Sequence, residues 1–327
     1  MNENQLIPYE SKRSKSNTGK SILKVLIVLL LAVGSVFLAL NFKAVTGEIP
    51  KIDTDSQDIG SNLPIDTESN TDLAPENKPD NTIPSGTLPI IEKNFTFEEI
   101  TNETEITLEA MDFVPITASQ IYKSYGNEAP VVLIVHKSCQ EAYSNGVYYS
   151  MSDSFYSSSN NVGDIGKIIC DTLNSSGVNA IHLNEIYANG GRFSSSVEYE
   201  DAIKKALVAY PSIEYVFSIS RDTLINEDYS MTKPIVSIDE VSLAQMKITV
   251  GACDDTELLE KNLSLAIMLA TSKANLAYGV VLSRFNLSQS LSPCALDIDI
   301  GAFSNSFEEA SSLAIAFANE FALLISE

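Results

Sequence analysis

VVLIVH, at residues 131–136, is the stretch on which the reading of the fold turns. It is short, uncharged and rich in β-branched side chains, which suits a strand covered on both faces better than a helix. Residues 161–176 follow with Val162, Ile165, Ile168, Ile169 and Leu173 on one helical face, and Gly177 stops the pattern. VNAIH at 178–182 reads as a second strand, 196–210 as a helix ended by Pro211, and IEYVFSIS at 213–220 as a third strand. Strands at 244–251, 277–283 and 294–301 and helices at 254–273 and 305–324 complete the pattern. The last helix has Asn305 or Ser306 to cap it and Glu308 and Glu309 in its first turn. Such alternation predicts an α/β domain over residues 130–327, a mostly parallel six-stranded sheet flanked by helices. Sites in these sheets lie in loops at the carboxyl ends of the strands.

Upstream, the character of the chain changes. ILKVLIVLLLAVGSVFLAL at residues 22–40 carries a single charge, Lys24, near one end. A bilayer core is crossed by about 20 apolar residues, so 21–43 reads as a transmembrane helix. A cleaved signal peptide has a shorter apolar core and a small-residue cleavage site, and Leu40-Asn41-Phe42-Lys43 offers none. Lys12, Arg13, Lys15 and Lys20 precede the span and acidic residues follow it, which puts tail 1–20 in the cytoplasm and the C-terminal domain outside the cell membrane. Residues 44–95 are Asp, Glu, Ser, Thr, Asn and Pro with few apolar side chains, the composition of a disordered acidic linker. Residues 96–129, with helical periodicity near 118–125, read as a lead-in packed on the domain.

With 327 residues, 44% of them hydrophobic, the chain has room for one sizeable core beside anchor and linker. Its formal net charge of -22 excludes a nucleic-acid binder, which needs clustered Lys and Arg. Cys139, Cys170, Cys253 and Cys294 form no CxxC pair, so neither a zinc knuckle nor a redox motif is indicated. An exported domain permits disulfides, but Cys139 and Cys170 fall where buried free thiols are expected.

The strand-end rule selects the residues to inspect. The first strand ends in His136 and runs into KSCQEAY, the second ends in His182, and the third runs into Ser220, Arg221 and Asp222. The last carries Asp297 and Asp299, readable as a general base or as solvated strand-end charge. No GxSxG elbow, Walker motif or GxGxxG is present, and no orienting motif supports Cys139 as a nucleophile beside His136.

In VLIVHKSCQEAY, NVGDIGK, GVNAIHL, PSIEYVFSISRDT and FNLSQSLSPCALDIDIGAFSNSFEEA, taken in that order, the chain resembles the stage II sporulation protein P family. Members are membrane-anchored zinc-dependent N-acetylmuramoyl-L-alanine amidases. The resemblance covers residues 130–327. It implies His136 and Glu141 as metal ligands and Arg221 as a catalytic-site residue; His182, at the neighbouring strand end, and Asp222, next to Ser220, are auxiliary residues that could swing in toward the metal. Two positions depart from the family. Ser220 stands where a histidine ligand is expected, and Asp299 stands where the catalytic glutamate is expected.

Zinc hydrolysis of an amide needs three protein ligands, an open position for water and a carboxylate to move the proton. A neutral hydroxyl at Ser220 is a poor substitute for imidazole, and Asp299 is one methylene shorter than Glu. Zinc is thus put in doubt, and two readings follow. In one, the domain is a degenerate amidase that binds peptidoglycan or scaffolds sporulation engulfment proteins. In the other, it is an active zinc amidase cutting septal peptidoglycan, with His136 and Glu141 on the metal and Asp299 as base.

Overall fold

The computed structural model describes residues 86–325 apart from 109–125, 127, 145, 184–191, 194, 273, 286–288 and 293. The expected tail, the transmembrane span, linker residues 44–85 and the helical periodicity near 118–125 lie outside the described residues. Among the described residues no helix is long and apolar enough to cross a membrane.

In chain order the elements are β1 (Leu88–Lys93), β2 (Ile100–Asn102), β3 (Val132–Val135), β4 (Tyr148–Tyr149), α1 (Val162–Ser175), β5 (Ala180–His182) and α2 (Ser196–Ala209). Then come β6 (Tyr215–Asp222), β7 (Met231–Ile238), β8 (Val241–Ala244), β9 (Met246–Gly251) and α3 (Thr256–Ala270). β10 (Ala277–Ser283), β11 (Ala295–Ala302) and α4 (Phe307–Leu324) close the domain. Local signals set the helix starts. Asn161 and Asp164 form a capping box on α1, Ser306 and Glu309 form one on α4, and the Asp255 side chain accepts from Leu258 N–H at the start of α3.

The six expected strands form the central sheet with β2 added, in the order β2-β10-β9-β11-β6-β3-β5. The sheet is mixed rather than mostly parallel, because β11 pairs antiparallel with β9 while every other neighbouring pair is parallel. The connections explain this. A parallel return needs a long crossover, usually a helix, and α1, α2 and α3 supply three of them. From β6 to β9 the chain passes instead through the β7–β8 hairpin, and from β10 to β11 the described residues of the connection form a short 3-10 turn at Gln289–Leu291 and no α-helix. Each of these connections reverses the strand direction.

A second sheet, β4-β1-β7-β8, was not expected. Its β1 corrects the linker boundary, since residues 88–93, read as disordered, pair parallel with β7 from Ile90↔Met231 to Lys93↔Pro234. β2, within the lead-in, pairs with β10. The side chain of Gln245, fully buried, fastens this segment: it accepts from Phe95 N–H at 2.9 Å and donates to the carbonyls of Phe95 and Asn275, each at 2.9 Å.

Alternation along β3 and β6 splits the core in two. Ile134, Phe217 and Ile219 belong to one cluster with Ile165 and Ile169 of α1 and Phe317 and Phe321 of α4. Phe217 meets Phe317 and Phe321 edge-on at 5.5 and 5.0 Å between ring centroids. Leu133, Val135, Val216 and Ala295 face Tyr199, Ile203 and Ala206 of α2 on the other side. Cys139, Cys170 and Cys294 are buried free thiols, as expected for the first two, and half-buried Cys253 is also free.

Replacing Gln245 by Leu removes the partners of the half-buried Phe95 N–H and Asn275 carbonyl and is expected to cost about 1 to 3 kcal/mol. Chemical denaturation checks the loss, and hydrogen exchange at Phe95 should rise more than exchange in α4.

Candidate functional site

His136 follows β3 directly and is 1% exposed. Its Nδ1 lies 2.9 Å from the carbonyl oxygen of Ile219. A carbonyl only accepts, so Nδ1 carries the proton and Nε2 is left as an acceptor. That nitrogen lies 2.7 Å from Nε2 of His182, which must therefore donate. The rings meet edge-on, 4.9 Å between centroids and 77° between planes. Gly166 of α1 makes room for them: a Cβ there would collide with Nε2 and Cε1 of His136. Burial, reinforced by the neighbouring His182, pushes His136 down to about 3. Burial, with Lys167 beside it, pushes His182 down to about 4. Both rings are neutral at neutral pH.

Ser220 and Asp299 lie on the opposite face of the sheet. Ser218 and Ser220 alternate with Phe217 and Ile219, and Asp297 and Asp299 alternate with Leu296 and Ile298. The Ser220 hydroxyl donates to Oδ1 of Asp299 at 2.5 Å. Lys247, opposite Asp299 in the antiparallel register, places Nζ 3.0 Å from Oδ2 of Asp299 and also bonds Oδ2 of Asp222. The Tyr278 hydroxyl donates to that same Asp222 oxygen at 2.7 Å. Burial raises the Asp222 pKa, but Lys247 and the hydrogen bonds from Lys247, Tyr278 and Thr223 N–H outweigh it, so the carboxyl is held below its ordinary value. Burial lowers Lys247, and Asp299 and Asp222 more than restore it, so the amine is held above its ordinary value and stays an ammonium.

The reading of Asp297 and Asp299 as solvated charge is corrected by the same geometry. Their side chains are 15% and 18% exposed, and each faces a lysine, Lys137 at 2.8 Å from Asp297 and Lys247 from Asp299.

Glu141 accepts from the backbone N–H of Arg221 at 3.4 Å, and burial raises its pKa despite Arg221 nearby. The Arg221 guanidinium donates to the carbonyls of Ala142, Asp222 and Phe155 and to the Thr223 hydroxyl, and it lies against the rings of Phe303 and Phe155. These bonds tie the segment containing Ala142 and Phe155 to the end of β6. Burial pushes the Cys139 thiol up, away from the thiolate a nucleophile requires.

The structure thus brings together His136 with His182, and Ser220 with Asp299 and Asp222. It does not bring His136 to Asp299. Among the described residues no group of three or more His, Cys, Asp or Glu side chains is arranged to hold a metal ion. The donor chemistry agrees. His136 has its proton on Ile219 and its lone pair on His182, Ser220 is a hydroxyl donor, and an ammonium occupies the space between Asp222 and Asp299. In this arrangement the residues do not fit zinc. Lys247, Tyr278 and Gly166 were missed in the sequence. The signal for Lys247 was there, because MKITVG alternates buried Met246, Ile248 and Val250 with polar Lys247 and Thr249.

Fold and site together define an α/β domain with a polar, ion-paired face at the carboxyl ends of β6 and β11. Solved structures similar to it are N-acetylmuramoyl-L-alanine amidases. The CwlD amidase from Clostridioides difficile, in complex with the GerS lipoprotein, is 14% identical with a TM-score of 0.38, over 60% of this chain and 98% of that one. AmiC2 of Nostoc punctiforme is 13% identical with a TM-score of 0.33, over 60% and 93%. Ami1 from Mycobacterium abscessus is 12% identical with a TM-score of 0.35, over 60% and 99%. Comparison with curated proteins gives no match. The chain belongs to the Stage II sporulation protein P (SpoIIP) family, which it matches over residues 43–322.

The histidine pair makes stability depend on pH. Both folded pKa values lie below the ordinary 6.5, so the unfolded chain binds more protons between them and 6.5. The contribution is fully present above about 6.5 and is lost as pH falls through about 4 and then about 3. Urea titrations from pH 7 to 4 should show stability falling, with a shallower fall in a His136→Phe, His182→Phe chain. Gly166→Ala should destabilise by about 1 to 3 kcal/mol through overpacking on the rings, read in the same titrations.

Proposed function

We propose that this SpoIIP-family chain is a degenerate amidase, a sporulation cell-wall protein that holds peptidoglycan, or scaffolds engulfment proteins against it, without hydrolysing it. The observation that carries the reading is the hydrogen bond from His182 to Nε2 of His136. It takes up the lone pair that a zinc ligand must give. The other expected imidazole is Ser220, whose hydroxyl donates to Asp299.

Family membership supplies the setting of this proposal, sporulation and the cell wall. The apolar run at 22–40 supplies its geometry: a single membrane anchor with the tail in the cytoplasm, and an acidic linker that lets the domain reach the wall. The zinc-amidase alternative requires Nε2 of His136 to be released, either by His182 withdrawing or by His182 giving up the shared proton and joining the ligand set.

Purified full-length chain mixed with isolated peptidoglycan, in EDTA and separately with added zinc, separates the two. The proposal expects the protein to sediment with the wall in both buffers and mass spectrometry to find no released stem peptides. Release of stem peptides with zinc would establish the amidase instead. The Ser220→His, Asp299→Glu chain should remain inactive, because neither change frees His136 from His182.

A further inference from the structure

Lys247 is the one charged residue of β9, in a strand whose alternate residues Met246, Ile248 and Val250 are buried. It reaches its position because β9 runs antiparallel to β11, which sets it directly across from Asp299. On the far side of β11, Ser220 of β6 is the register partner of the same aspartate. Asp222, two residues on and on the same face, completes the cluster. The side chains of Lys247, Asp222 and Asp299 are 24%, 20% and 18% exposed, so their charges are largely screened from water.

The two carboxylates share the Lys247 ammonium, and Asp299 also interacts with the Arg221 guanidinium. Lys247 Nζ contacts Oδ2 of each, and each carboxylate has in addition one hydroxyl donor, Tyr278 on Asp222 and Ser220 on Asp299. Two half-buried carboxylates without a cation would repel each other and draw protons. We infer that Lys247 is a resident cation that stands where Asp222 and Asp299 would otherwise draw a divalent ion, so that the polar face needs no metal.

The acceptors that Lys247 satisfies are carboxylate oxygens, with a serine and a tyrosine hydroxyl beside them. Oxygen sets of this kind suit Mn²⁺, Ca²⁺ or Mg²⁺ better than zinc. Removing the ammonium therefore opens a site for a hard divalent cation, not for the zinc that family resemblance implies.

The test uses full-length chain, with metal content and thermal stability as readouts. These are independent of wall binding and peptide release, so the inference and the functional reading fail separately. Wild type stripped with EDTA should carry no metal and show the same Tm when Mn²⁺ is added. Lys247→Met in EDTA should lose about 5 to 15 °C of Tm. Added Mn²⁺ should restore much of the loss, with about one ion bound per chain by mass spectrometry. The Asp222→Asn, Lys247→Met, Asp299→Asn chain, which has neither carboxylate, should recover stability in EDTA and ignore Mn²⁺. The inference is overturned by stoichiometric metal or a metal-dependent Tm in wild type. It is equally overturned if Lys247→Met is indifferent to EDTA and Mn²⁺, or if it stays unfolded in both buffers.

Discussion

The antiparallel pairing of β9 with β11 is the constraint from which the character of the site follows. It turns a lysine toward an aspartate across the ladder and leaves Asp222 within reach of the same ammonium. An ion pair in water contributes little, but this one is mostly withdrawn from solvent and supported by two hydroxyl donors. Breaking it from either side leaves charge without a partner. Ser220 belongs to that balance as well, since its hydroxyl donates to the other oxygen of Asp299.

The other face of the same strands carries the second half of the account. His136 and His182 stand side by side under α1, fixed as complementary tautomers by the Ile219 carbonyl. Gly166 permits the approach, and burial keeps both rings neutral. Residues that an amidase would gather round one ion are thus divided by the sheet into an imidazole pair below and an ionic cluster above. Each set is satisfied within itself. Family membership supplies the setting, sporulation and the cell wall, and the proposed binding role rests on these two self-contained sets.

Much of the fold was legible because its signals are local. The apolar runs of β3, β6 and β11 and the caps at Asn161 and Ser306 announce themselves within a few residues. Strand direction was legible in principle, since no helical pattern separates β6 from β9 or β10 from β11, and parallel neighbours need a crossover. β1 and β2 were not legible. LPIIEK and ITN are short and partly exposed, and they become strands only through partners far along the chain. At the site, the strand-end positions of His136, His182 and Ser220 could be read, but not which nitrogen of each ring is engaged. The partnership of Lys247 with Asp299 likewise depends on a register that no spacing encodes.

A crystal structure of the domain soaked in zinc, with anomalous differences recorded at the zinc edge, addresses the central claim most directly. No anomalous peak is expected at the strand ends, with Nε2 of His136 on His182 and Nζ of Lys247 between Asp222 and Asp299. A zinc ion bound by His136 and Glu141, with His182 and Lys247 displaced, would contradict it.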